Sequence, residues 1–113
     1  MATDIHAQMR YADVSAQKAR LVVDTVRGKS ALDAANTLKF MQKKAARIVE
    51  RLLGSAVANA EENFGVSRDD LLVYKIVADE GPTRKWRRFG ARGRFKPMLR
   101  RTSHLTIILR ERE

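Results

Sequence analysis

Between Glu80 and Glu111 the chain contains no acidic residue. It carries there ten of its 23 lysines and arginines: Arg84, Lys85, Arg87, Arg88, Arg92, Arg94, Lys96, Arg100, Arg101 and Arg110. The other 13 bases are balanced by 13 acids, so the whole net charge of +10 comes from this one stretch. Apolar alternation flanks it. Residues 71–78 read as one strand. Residues 102–110 read as another, with Leu105, Ile107 and Leu109 on one face and His104, Thr106 and Arg110 on the other. Two strands bracketing a basic segment make that segment the loop of a long hairpin. Folded at its middle, residues 80–101 give legs of about 35 Å at ~3.3 Å per residue. Such a rod, dense in like charge, cannot bury itself against its own body. A polyanion has to surround it.

The remainder reads as a small body. Residues 5–11 alternate, with Ile5, Ala7, Met9 and Tyr11 on one side and His6, Gln8 and Arg10 on the other, as in a half-buried strand. A helix follows between a capping Ser15 and a left-handed Gly28, burying Ala16, Ala19, Val22, Val23 and Val26. Ser30 caps a second helix with Asp33 in its first turn, where the helix dipole favours an acid; Ala31, Ala34, Ala35, Leu38 and Met41 form its core face. The third helix is the longest. Ala45, Ile48, Val49, Leu52, Leu53, Ala56, Val57, Ala60 and Phe64 fill half of its wheel, with Gly65 as its stop. Asn59, at the edge of that arc, is expected to bond a neighbouring loop. The expected fold is α+β: a three-helix body on a short three-stranded antiparallel sheet, with a long basic β-hairpin arm. One domain spans residues 1–113, divided into body 1–79 and 102–113 and arm 80–101.

Composition removes several functions. There is no cysteine, which excludes disulfides, thiolate nucleophiles and Cys-ligated zinc. His6 and His104 are the only imidazoles. The acid pairs Glu61/Glu62, Asp69/Asp70 and Asp79/Glu80 are adjacent in sequence, and adjacent residues do not share a face, so no acid/base dyad is expected. No catalytic residue, metal or cofactor is expected, and a nuclease is disfavoured for want of a carboxylate cluster. No apolar run approaches the roughly 20 residues of a membrane span, and the first seven residues lack a cationic, then apolar, export signal. The expected setting is the cytoplasm, without membrane or small-molecule substrate.

Within the arm, bases alternate with Trp86, Phe89, Phe95, Met98 and Leu99 and with Gly90 and Gly93. Arginine dominates, and guanidinium suits both bidentate phosphate contacts and stacking on bases. The aromatics offer flat faces to unpaired bases. RNA is favoured over DNA because no helix-turn-helix, zinc-finger or basic-zipper pattern is present. The cluster Lys43, Lys44, Arg47 and Arg51 is either a solvated helix face or a second RNA patch.

These residues resemble a known family, the universal large-subunit ribosomal protein 22, in its bacterial form. Four stretches carry the likeness: Ser15-Ala16-Gln17-Lys18-Ala19-Arg20-Leu21-Val22 with Arg27-Gly28-Lys29; Lys43-Lys44-Ala45-Ala46; Ser55-Ala56-Val57-Ala58-Asn59-Ala60-Glu61-Glu62-Asn63; and Asp79-Glu80-Gly81-Pro82 through Gly93-Arg94 to Arg100-Arg101-Thr102-Ser103-His104-Leu105-Thr106. The resemblance implies a structural component that binds large-subunit (23S-type) ribosomal RNA and aids early subunit assembly. Its body would lie near the opening of the polypeptide exit tunnel, with its arm along the tunnel wall. Neighbouring ribosomal proteins and the nascent polypeptide would be its other partners. Carried over, RNA-binding positions are Arg10, Ser15, Lys18, Arg20, Lys43, Lys44, Arg84, Lys85, Trp86, Arg87, Arg88, Arg92, Arg94, Lys96, Arg100, Arg101, Thr102, Ser103 and His104. The tunnel-lining tip is Arg88, Phe89, Gly90, Ala91, Arg92 and Gly93. The chain departs from the family at Asp13, where many members carry arginine, at Ala16-Gln17, where Pro-Arg is frequent, and at Phe89-Gly90, where Pro-Arg is common. A free-standing RNA chaperone or antitermination factor is the alternative function.

Overall fold

The computed structural model describes residues 4–89 and 95–112, and for 84–89 and 95–99 the backbone only. Three strands form an antiparallel sheet in the order β1-β5-β2: β1 (Asp4–Ala12), β2 (Leu71–Glu80) and, between them, β5 (Ser103–Glu111). Helices α1 (Ala16–Val26), α2 (Ala31–Lys39) and α3 (Lys44–Asn63) cover one face of it. The other two strands, β3 (Arg84–Phe89) and β4 (Phe95–Arg100), pair with each other as a separate two-stranded sheet. The fold is α+β, as the patterning requires. The radius of gyration is 17.0 Å and the longest principal extent 63 Å, against about 13 Å for a compact chain of this length.

The helices begin and end where the side chains dictate. Ser15 Oγ accepts the Lys18 N–H at 3.3 Å and Ser30 Oγ the Asp33 N–H at 3.2 Å, so both caps fill an otherwise orphaned donor. Gly28 takes the left-handed backbone, φ 81°, that closes α1. The three apolar arcs meet the inward residues of the sheet. Ile5, Val22, Val23, Leu38, Val49, Leu52, Ile76, Leu105, Ile107 and Leu109 are all fully buried there.

Three elements depart from the patterning. Helix α3 stops at Asn63, which leaves Phe64 at its cap and half exposed rather than in the core. Pro97 sits within paired β4, opposite Arg87, although proline has no N–H to give a strand ladder. In β1 the alternation fails at Tyr11. Met9 pairs with Leu105 and Ala12 with Ser103, so Arg10 and Tyr11 together face the single residue His104. This is a β-bulge. Ala12 takes the inward place, and Tyr11 is exposed with φ 57°.

Arginines close several backbone groups that the topology leaves open. β2 is an edge strand. Along its outer side Val73 exchanges bonds with Gly28 N (3.0 Å) and Lys29 O (2.8 Å), Arg27 Nη2 donates to Ile76 O (2.8 Å), and Arg20 Nε donates to Ala78 O (3.1 Å). Arg47, on α3, donates through one nitrogen to Leu38 O, Lys39 O (3.1 Å) and Met41 O (2.7 Å). Leu38 and Lys39 close α2 and Met41 lies just past its cap, so the cation also meets the negative end of the helix dipole. Asn59 Nδ2 reaches His6 O on β1 at 3.3 Å, a strand rather than a loop. At the opposite end of the sheet Arg110 Nε bonds Asp4 Oδ1 at 2.5 Å, and the guanidinium lies 3.4 Å from the centre of the Tyr74 ring. The Arg110 hydrogen bond holds the Asp4 carboxyl below its ordinary range.

Two outcomes are expected. Arg47→Ala leaves the last carbonyls of α2 to water and costs about 1–2 kcal/mol, lowering Tm by roughly 5–10 °C, whereas Arg51→Ala on the exposed face changes Tm little. The second concerns acid. Because the folded pKa of Asp4 lies below its unfolded value, its contribution is present above about pH 4 and is lost as pH falls through the folded value. The Tm gap between the parent protein and Asp4→Asn should therefore shrink on acidification below about pH 4, as thermal melts across pH would show.

Candidate nucleic-acid interface

The arm leaves the body from β2 and returns through β5, and a tight junction joins its legs. Gly81 N–H donates to Thr102 O at 2.9 Å, and Thr102 Oγ1 donates to Pro82 O at 2.7 Å. A Cβ at position 81 would lie 2.6 Å from Thr102 Oγ1 and 3.3 Å from the Thr102 backbone. Only glycine fits this approach. The junction sets Arg100 and Arg101 beside the body.

There the arm's root meets the N-termini of α1 and α3 around a half-open cleft of about 1120 Å³. Five bases line it (Lys18, Lys43, Lys44, Arg100 and Arg101) against two acids, Asp13 and Glu80. Neither helix has an acid in its first turn, and Lys43, at the N-cap of α3, makes no side-chain capping bond. Cations at the positive end of a helix dipole oppose folding unless an anion sits among them. The arrangement therefore favours phosphate, with first-turn N–H groups of α3 as additional donors. Ser15 Oγ already accepts from Lys18, which leaves its hydroxyl hydrogen to donate outward. Thr83 and half-exposed Leu21 also line the cleft. Leu21 was legible as an apolar residue outside the buried arc of α1; Thr83 had no such signal.

Other positions in the sequence-based set fall differently. Lys44 Nζ is paired with Asp13 Oδ2 at 3.1 Å, and that hydrogen bond, with Arg100 as a smaller contributor, holds the Asp13 carboxyl below its ordinary range. The family departure at Asp13 thus neutralises a neighbouring base. Arg20 is exposed but commits Nε to the edge of β2. Arg10 is exposed within the bulge. Ser103 faces inward and is fully buried, with no partner for Oγ among the described residues, so its hydroxyl is not on the interface. His104 Nδ1 accepts the Tyr11 N–H at 3.0 Å. A neutral ring in that bond carries its proton on Nε2, a donor. Gly90, Ala91, Arg92, Gly93 and Arg94 lie outside the described residues, as do the side chains of Arg84, Lys85, Trp86, Arg87, Arg88, Phe89 and Lys96. Among the described residues no group of three or more metal-ligating side chains occurs, and no helix is long and apolar enough to cross a membrane.

Asp13→Asn should release Lys44 to bind phosphate. RNA affinity is expected to rise, and the slope of log K against log[salt] to steepen by up to about one phosphate equivalent, read from filter binding over a salt series. An unchanged slope would show that Lys44 does not reach the RNA.

The sequence matches the profile of the family described as Ribosomal protein L22p/L17e over residues 7–110, which takes in both helix N-termini, the cleft and the whole arm. That family consists of structural, non-enzymatic proteins of the large ribosomal subunit that bind ribosomal RNA. With nearly all of its 113 residues inside the match, this chain belongs to the L22p/L17e family of ribosomal proteins.

Proposed function

We propose that this protein helps organise large-subunit ribosomal RNA early in subunit assembly, its body seated near the opening of the polypeptide exit tunnel and its arm lining the tunnel wall. One observation carries the reading. A segment without a single acid is rooted, by the Gly81–Thr102 junction, beside a cleft of five bases and two helix N-termini. RNA entering that cleft meets phosphate ligands from the body and from the arm at once. In this reading Arg10, Ser15, Lys18, Arg20, Lys43, Arg100, Arg101, Thr102 and His104 contact RNA around the root, and the arm bases from Arg84 to Lys96 follow it inward. Residues 88–93 face the nascent polypeptide. The setting is the cytoplasmic ribosome, among other large-subunit proteins, and the chain acts as a single domain.

The companion reading, a free-standing RNA chaperone or antitermination factor, differs in how tightly the protein is held. Sedimentation separates them. Co-migration with large subunits through moderately high salt is expected, whereas release at modest salt would favour the free factor. Within the bound state, Arg100→Ala combined with Arg101→Ala should flatten the salt dependence of RNA binding by about two phosphate equivalents. A parent-like slope would remove the arm's root from the interface.

A further inference from the structure

Tyr11 is held in a conformation that the body does not need. Strict alternation from Ile5, Ala7 and Met9 would turn its ring inward. Instead the bulge rotates it out, at φ 57°, a region disfavoured for any residue with a Cβ, and leaves the side chain 64% exposed. Backbone strain and an aromatic surface left in water both oppose folding, and they coincide at one residue. The position is nonetheless locked. The Tyr11 N–H donates to His104 Nδ1 at 3.0 Å, and the two rings stand edge to face, with centroids 4.8 Å apart and planes at 83°. His104 is half-buried on β5, two residues from Thr102 of the arm junction. Charged neighbours are Arg10 on β1, Asp79 opposite His104 on β2, and Arg101 just before β5.

We infer that Tyr11, backed by His104, is a stacking platform for an unpaired base of ribosomal RNA at the root of the arm. The inference rests on the RNA reading above and names a contact within it. A planar, rigid, exposed ring takes up a base at little cost in side-chain freedom, and the edge-on imidazole fixes its tilt. Arg10 and Arg101 supply cations for the flanking phosphates. The His104 Nε2 proton adds a donor beside the stacked base. A protein partner would find at the same place a single ring beside arginines and one acid, a poor apolar anchor. RNA fits both the ring and the charge.

The test uses the full chain and in vitro transcribed large-subunit ribosomal RNA at fixed salt. Ultraviolet crosslinking followed by peptide mass spectrometry should place a nucleotide on the Tyr11 peptide. Tyr11→Leu should weaken binding about tenfold, the scale of one lost base stack, while Tyr11→Phe stays within twofold. Equal weakening by both variants would mean a hydroxyl contact and overturn the platform. Parent-like binding by Tyr11→Leu would overturn it too, as would protection of Tyr11 in assembled subunits without a nucleotide crosslink, the sign of a protein contact. Tyr11→Leu keeps the backbone demand of the parent residue; should it fail to fold, the parent-chain crosslink decides. If the parent chain ignores this RNA altogether while remaining folded, the ribosomal reading itself falls, a result distinct from loss at Tyr11 alone.

Discussion

The pairing of β2 with β5 is the constraint from which everything functional in this molecule derives. Those strands are the two ends of the basic segment, and their antiparallel register, with Glu80 opposite Ser103, makes the legs of the arm leave the body side by side. Ordinarily that would be a poor design, because like charges brought together repel. The body offsets the repulsion through the apolar inner face of the same strands: Leu71, Val73, Ile76, Leu105, Ile107 and Leu109 are all buried under the helices. Hydrophobic burial, which ignores charge, thus fixes where the charge must emerge.

The same economy governs the helix ends. Helix α2, far from the arm's root, has an acid in its first turn and a base in its last, as an isolated helix prefers. Helices α1 and α3, whose N-termini face the cleft, have no acid there and carry lysines instead. Within one small body, local electrostatic rules hold at α2 and fail at the two N-termini that line the cleft, where the proposed function seats RNA. Conflict between local preference and global arrangement is what a functional surface looks like at this level.

Much of this was legible beforehand, and the failures have physical causes. The arcs of Ala16, Ala19, Val22, Val23 and Val26, and of Val49, Leu52, Leu53, Ala56 and Ala60, were readable because a 3.6-residue period leaves no other face to bury. The hairpin arm was readable from charge bracketed by alternation. Tyr11 was misread because a bulge adds one residue to a strand without any signal in composition. Arg20 was carried over from the family as an RNA contact, and Arg47 was read by type as solvated or RNA-facing. Each also reaches backbone carbonyls more than five residues away in the chain, a demand visible only once the sheet order and the α2–α3 crossing exist. Ser103 carried the family's motif but points to the core, since strand parity, not motif membership, sets its direction.

One consequence concerns the interval before any RNA is bound. A protein of this kind is translated away from its binding site, and an open sheet edge in a crowded cell is a template for another copy's strand. Along β2 that template is blunted by a turn at Val73 and by the guanidinium groups of Arg27 and Arg20 on Ile76 and Ala78. Charge fixed across a row of carbonyls is a barrier to edge-to-edge aggregation. Arg20 on α1 and Arg27 at its C-terminal cap thereby close the β2 edge of the sheet to strand addition before any RNA is bound.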